Sequence, residues 1–166
     1  MISPSHVAKM AAYNQWINEG IFACCDQLSD ADRKADRGAF FKSIHATLNH
    51  ILWGDQMWMH RLAETPVPIS PDIAGSLVQY ESYDDLKRER VAFDHVMGDW
   101  AAGLDQAALE GDLNWYSGSK GRDMSHPRWV LVTHMFNHQT HHRGQVHALL
   151  TGFGIETPVM DLPMMP

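Results

Sequence analysis

Apolar residues recur at helical spacing along four stretches of this chain. The first opens at Ser3-Pro4, a hydroxyl N-cap followed by proline at the first helical position. It runs to about Leu28, carrying Val7, Met10, Ala11, Tyr13, Ile17, Ile21 and Cys24. The second spans about Phe40 to Leu62. Ile44, Leu48, Ile51, Trp58 and Leu62 form its main stripe, while Trp53 and Met57 lie off it. A helix apolar on several faces is expected at the centre of a bundle or under a partner subunit. The third follows Ser82, where Asp85 completes an imperfect capping box, and keeps Leu86, Phe93, Met97, Trp100 and Leu104 on one narrow stripe. The fourth begins near Pro127 and continues to about Thr151, closed by Gly152 and Gly154.

The segments between are of different kinds. Asp30 to Gly38 is polar and predicts a loop. Pro66, Pro68 and Pro71 forbid helix, so Glu64 to about Glu81 reads as a long crossover. Leu113 to Tyr116, Gly118 to Gly121 and Arg122 to Met124 read as strand, turn and returning strand. The tail from Pro158 to Pro163 reads as extended. The expectation is an all-α protein, a four-helix bundle of one domain over residues 1–166. A long crossover joins helices two and three, and a small hairpin precedes helix four.

Charge and composition narrow the function. The formal net charge of -7 repels phosphate backbones, so nucleic-acid binding would need a basic patch. The longest candidate is Lys87-Arg88-Glu89-Arg90, expected to be a solvated helix face. Met1 to His6 lacks the basic start and apolar run of a signal peptide, and no stretch approaches the roughly 18 apolar residues of a membrane helix. Cys24 and Cys25 are neighbours, which argues against a disulfide framework. These features predict a cytoplasmic protein without nucleic-acid or membrane partners.

The chain has 11 histidines, and the fourth helix concentrates them in His134-Met135-Phe136-Asn137-His138-Gln139-Thr140-His141-His142-Arg143-Gly144-Gln145. Leu131, Met135, Val146 and Leu149 define its apolar face. His138 and His142 fall inside that face one turn apart, where two imidazoles can converge on one ion. Burying two polar rings is costly unless each finds a partner, and a shared metal serves both. His134 with His138 is a rival pair that spacing alone leaves open. A further ligand is expected from helix two, which offers His45, His50 and His60 without a periodicity that chooses among them.

Leu48-Asn49-His50-Ile51-Leu52-Trp53-Gly54-Asp55-Gln56-Met57-Trp58, followed by His138-x-x-x-His142-Arg143-Gly144-Gln145, resembles the DinB family of bacterial metalloenzymes. Tyr13 to Asn18 is similar to the family's first helix, and Pro158 to Leu162 to its tail. The resemblance implies an up-down-down-up four-helix bundle, frequently dimeric, with nickel or zinc held by His50, His138 and His142. It also implies chemistry of the thiol-dependent transferase or isomerase kind. Three protein ligands leave a position open, as in catalytic sites. Neither cysteine belongs to the motif, so a low-molecular-weight thiol would enter as cosubstrate.

Arg143 and Gln145 are the candidate catalytic residues. Arg143 would anchor a carboxylate or else form a surface ion pair, and Gln145 would support a ligand histidine. Gly144 suggests close packing or access. Asp55 suggests ligand support or a dimer salt bridge. The expected function is a metal-dependent transferase or hydrolase acting on a small molecule, as a homodimer seeded by Trp53 and Met57. The alternative is a noncatalytic stress-response protein with a structural metal.

Overall fold

Serine hydroxyls start three of the four long helices in the computed structural model, which describes residues 1–166. Ser3 accepts from the backbone N–H of His6 and opens α1 (Pro4–Cys25). Ser29 does the same for a short helix, α2 (Asp30–Lys34), accepting from the N–H of Asp32. Ser43 opens α3 (Ile44–Ala63). In the crossover, Asp72 caps α4 (Ile73–Ser76). Ser82 opens α5 (Tyr83–Ala102). An antiparallel hairpin, β1 (Asp112–Ser117) and β2 (Arg122–Pro127), pairs Trp115 with Met124 and leads directly into α6 (Arg128–Gly152).

Local chemistry explains several departures from the pattern reading. Asp30 to Lys34 is helical rather than loop, because Lys34 bonds Asp30 at 2.8 Å and Arg33 donates to the carbonyls of Cys25 and Leu28 at the end of α1. The second long helix starts at Ile44 rather than Phe40. Lys42 takes a left-handed φ of 68° in a turn closed on Ala39, which leaves Ser43 as the cap. The crossover is not wholly irregular, since α4 forms once the prolines end at Pro71. The tail is not wholly extended either: Leu162–Met164 makes a 3-10 turn.

α3 packs against α6 and α1 against α5, with further contacts of α1 with α6 and of α3 with α5. Two apolar clusters fill the interior. One gathers Ile17, Ile21, Leu52, Leu86 and Leu150, the other Val7, Met59, Met97 and Met135. Between them along every long helix comes a buried polar layer: Asn14 and Asn18 from α1, Asp55 from α3, Arg90 and Asp94 from α5, Gln139 and Arg143 from α6. Arg90 therefore does not belong to a solvated face. It is 2% exposed, paired with Asp55 and with Asp94 at 2.8 Å. Burial works against its charge, but Asp94 and Asp55 outweigh that and push its guanidinium pKa up. Asp55 is fully buried and also accepts from Gln139 at 2.6 Å, so it takes no part in a dimer salt bridge.

Trp53 and Met57 are half-buried, and Trp53 donates its indole N–H to the carbonyl of Ser70 in the crossover. No helix is long and apolar enough to cross a membrane.

Candidate metal centre

α3 and α6, packed side by side, bring His50, His138 and His142 together so that one ring nitrogen of each lies within 4.8 Å of the others. His138 and His142 share a face of α6 one turn apart, as their spacing predicts. His50 faces them from α3, its Nε2 at 3.2 Å from that of His138. One turn further along α3, Gly54 leaves the room that the His138 ring occupies. A Cβ there would lie 2.6 Å from His138 Cε1. Phe41 covers the group from the preceding loop, its ring centroid 4.2 Å from that of His50 and 5.2 Å from that of His142.

Neighbouring acceptors fix two of the three rings. His50 Nδ1 lies 2.8 Å from Ser76 Oγ, and the Ser76 hydroxyl spends its own proton on the Ile73 carbonyl at 2.6 Å. Ser76 can then only accept, so His50 carries its proton on Nδ1 and turns the Nε2 lone pair toward the cluster. His142 Nδ1 lies 2.8 Å from Gln145 Oε1, which makes it a donor as well and frees its Nε2. This is the arrangement that orients imidazoles toward a metal. His138 Nδ1 is buried without a partner. Two facing lone pairs repel unless a proton or a cation lies between them. In the metal-free protein a His138 Nε2–H donating to His50 serves that purpose.

The donor set fits a transition metal. Two nitrogens at about 2.05 Å from a tetrahedral ion are about 3.3 Å apart, close to the observed His50–His138 separation. All three rings are held neutral, the form that coordinates. Burial pushes the His138 pKa down to about 3, helped by His142 and His50, and that of His50 down to about 4, helped by His142. Burial lowers His142 too, against the opposing bond to Gln145.

The remaining histidines stay outside this group. His45 bonds the Tyr80 carbonyl at 2.9 Å, and His60 is exposed with its Nδ1 on the Thr65 carbonyl. His134, the rival partner of His138, stands edge-on to Trp58.

Of the other candidates, Gln145 touches His142, whereas Arg143 does not reach the cluster. Arg143 is buried in the polar layer, its Nη1 donating to Asn14 Oδ1 and Gln139 Oε1, so it is no surface ion pair. Burial pushes its pKa down to about 10, which leaves it charged at neutral pH. Gly144 has open space where a side chain would be, so close packing is not its reason. Ser76, Gly54 and Phe41 were not legible as site residues. Gly54 alone left a trace, as a helix-interior glycine where alanine is favoured by about 1 kcal/mol.

A family model described as the DinB family matches residues 1–166, the whole chain, and the protein belongs to that family. No curated protein matches the chain.

Proposed function

We propose that this DinB-family protein is a metal-dependent enzyme, working at an open position on a divalent ion held by His50, His138 and His142. The carrying observation is the cluster itself: three neutral imidazoles converge, two with their tautomers fixed outward, and no fourth protein donor joins them. Nickel or zinc suits three imidazoles. Such an ion supplies Lewis acidity, lowering the pKa of a water or thiol that shares its shell. The protein's own part is to hold the rings neutral and oriented through Ser76 and Gln145, and to keep water off one side with Phe41. The reaction class is transfer with a low-molecular-weight thiol, or hydrolysis, on a small molecule.

An up-down-down-up bundle over residues 1–166 is the scaffold of this reading. The order of the apolar clusters supports it. α1 and α6 run from the Met59 cluster to the Leu52 cluster, while α3 and α5 run the other way. Homodimer formation is supported by the half-buried Met57 and by exposed Val67 and Ile69 on the crossover. A cytoplasmic location is supported by the two free cysteines, and the net charge of -7 speaks against nucleic acid.

Elemental analysis of protein purified without a metal-affinity tag tests the site: one ion per chain is expected, and none in His142→Ala. With Co(II) bound, adding a thiol should alter the visible spectrum. One observation favours a second reading, a structural metal in a noncatalytic stress-response protein: the cluster bridges α3 and α6. That reading predicts a spectrum indifferent to thiols and carboxylates and a large fall in melting temperature on metal removal.

A further inference from the structure

A second polar feature of α6 is left unused by the histidine cluster. Arg143 is 3% exposed, yet no carboxylate lies within ion-pair distance of it. Asp55 and Asp94 both direct their oxygens at Arg90. Arg143 makes its hydrogen bonds through Nη1 alone, to two neutral amide oxygens, and its guanidinium carbon lies 5.7 Å from the Tyr13 ring centroid. Of the five guanidinium N–H donors, the Nε–H and the Nη2 pair make no hydrogen bond, and neither atom is sealed from solvent. A guanidinium taken out of water is costly unless its donors are met.

Arg143 is among the residues lining a cavity of about 570 Å³ between α6, α1 and the C-terminal tail. Its position is fixed by two contacts of the tail. The Tyr13 hydroxyl donates to the Met160 carbonyl, and Pro158 lies so close to Gly20 that a Cβ there would meet its Cγ at 2.9 Å. At about 100° per residue, Gly144 and His147 on its wall lie on the side of α6 away from His138 and His142. The volume is that of a small-molecule site. Its walls include the apolar Pro158, Val159 and Met160, with exposed Asp161 also lining it.

We infer that this cavity is a binding site, distinct from the metal centre, for a small organic carboxylate whose head pairs with the Nε/Nη2 edge of Arg143. That edge presents parallel donors matched to the two oxygens of a carboxylate. The aliphatic or aromatic body lies against the tail. Asp161 disfavours polyanions, so a monocarboxylate is the fitting charge.

The test is an NMR titration of the metal-loaded and metal-free protein with hexanoate, with hexanamide and inorganic phosphate as controls. Hexanoate should shift the amide signals of Thr140, Gly144, His147 and Val159 with the same affinity whether or not metal is bound. Arg143→Lys keeps the charge but loses the fork, and should weaken binding about tenfold to hundredfold. Arg143 is buried, so a variant that spares the polar layer is also needed. Gly144→Leu fills the open space without touching that layer and should abolish binding while the protein stays folded. No shift at about 10 mM hexanoate, where even a millimolar site would be filled, overturns the inference. So does equal binding of hexanamide, or binding that disappears with the metal. Phosphate binding in place of hexanoate overturns the carboxylate assignment.

Discussion

The histidine cluster and the charged layer are built by adjacent residues of the same helices, yet they are opposite kinds of buried polar site. His138 and Gln139 are neighbours, as are His142 and Arg143, and Gly54 and Asp55. In the layer, unlike groups complete one another: Arg90 takes Asp55 and Asp94, Asn18 donates to Asp94, and Gln139 donates to Asp55. In the cluster, three like groups face one another, and His138 Nδ1 is left without a partner. A polar group that completes itself holds a fold. One made of repeated donors of a single type is incomplete without something from outside. The layer has its own unmet donors: Arg143 has some to spare, and Arg90 Nε and Asn14 Nδ2 are buried without partners.

The sharpest way to break this contrast is Asp55→Ala. It leaves buried Arg90 with Asp94 as its one carboxylate and Gln139 without its acceptor, and should cost about 3 kcal/mol of stability in urea denaturation, while the folded fraction still binds metal. Loss of metal with stability intact would merge the two sites. Gly54→Ala acts the other way. Overpacking costs about 1–3 kcal/mol, and here it falls on the His138 ring, so metal content should drop while the circular dichroism spectrum is kept. A helix that simply gained alanine would instead melt higher.

Smaller still are Ser76→Ala and Gln145→Ala. Each removes the acceptor that orients one ring and should lower metal affinity about 10- to 100-fold, measured by competition with a chelator, with little change in far-ultraviolet signal. Unchanged affinity would mean that the rings orient themselves.

The gentlest probe is pH. His138 and His50 have pKa values pushed down to about 3 and about 4 in the folded protein, against about 6.5 in an unfolded chain. Between these limits the unfolded chain binds more protons, so the stability of the metal-free protein rises with pH there and is lost as pH falls from 6.5 toward 3. Denaturation curves at several pH values read this directly. Flat stability across that window would show that the rings are not held neutral.

How much of this was legible in the chain follows the same divide. The Ser3 and Ser82 caps, the hairpin and the inward face of His138 and His142 are written locally, in short spacings along the chain. Periodicity could not select His50, because α3 is buried on most of its faces; resemblance selected it. Arg90 was misread because a charged run reads as solvated unless its partners are known, and Asp55 lies 35 residues away. Ser76 escaped notice for a like reason. Its role depends on where the crossover returns to α3, which no local pattern encodes.

That return of the crossover bears on the order in which the chain assembles. Ser76 and His50 are 26 residues apart, His142 and Gln145 three, but His50 and His138 are separated by 88. Each half of the cluster is oriented by a contact far closer along the chain than the one that joins the halves, and distant contacts carry the larger loop-closure entropy. His50 can therefore be aimed before α6 arrives, and the pair on α6 is aimed by its own helix. Only the docking of α6 on α3 completes the three. A Co(II) spectrum followed during refolding would time that docking alone, as a clock on the last long-range step.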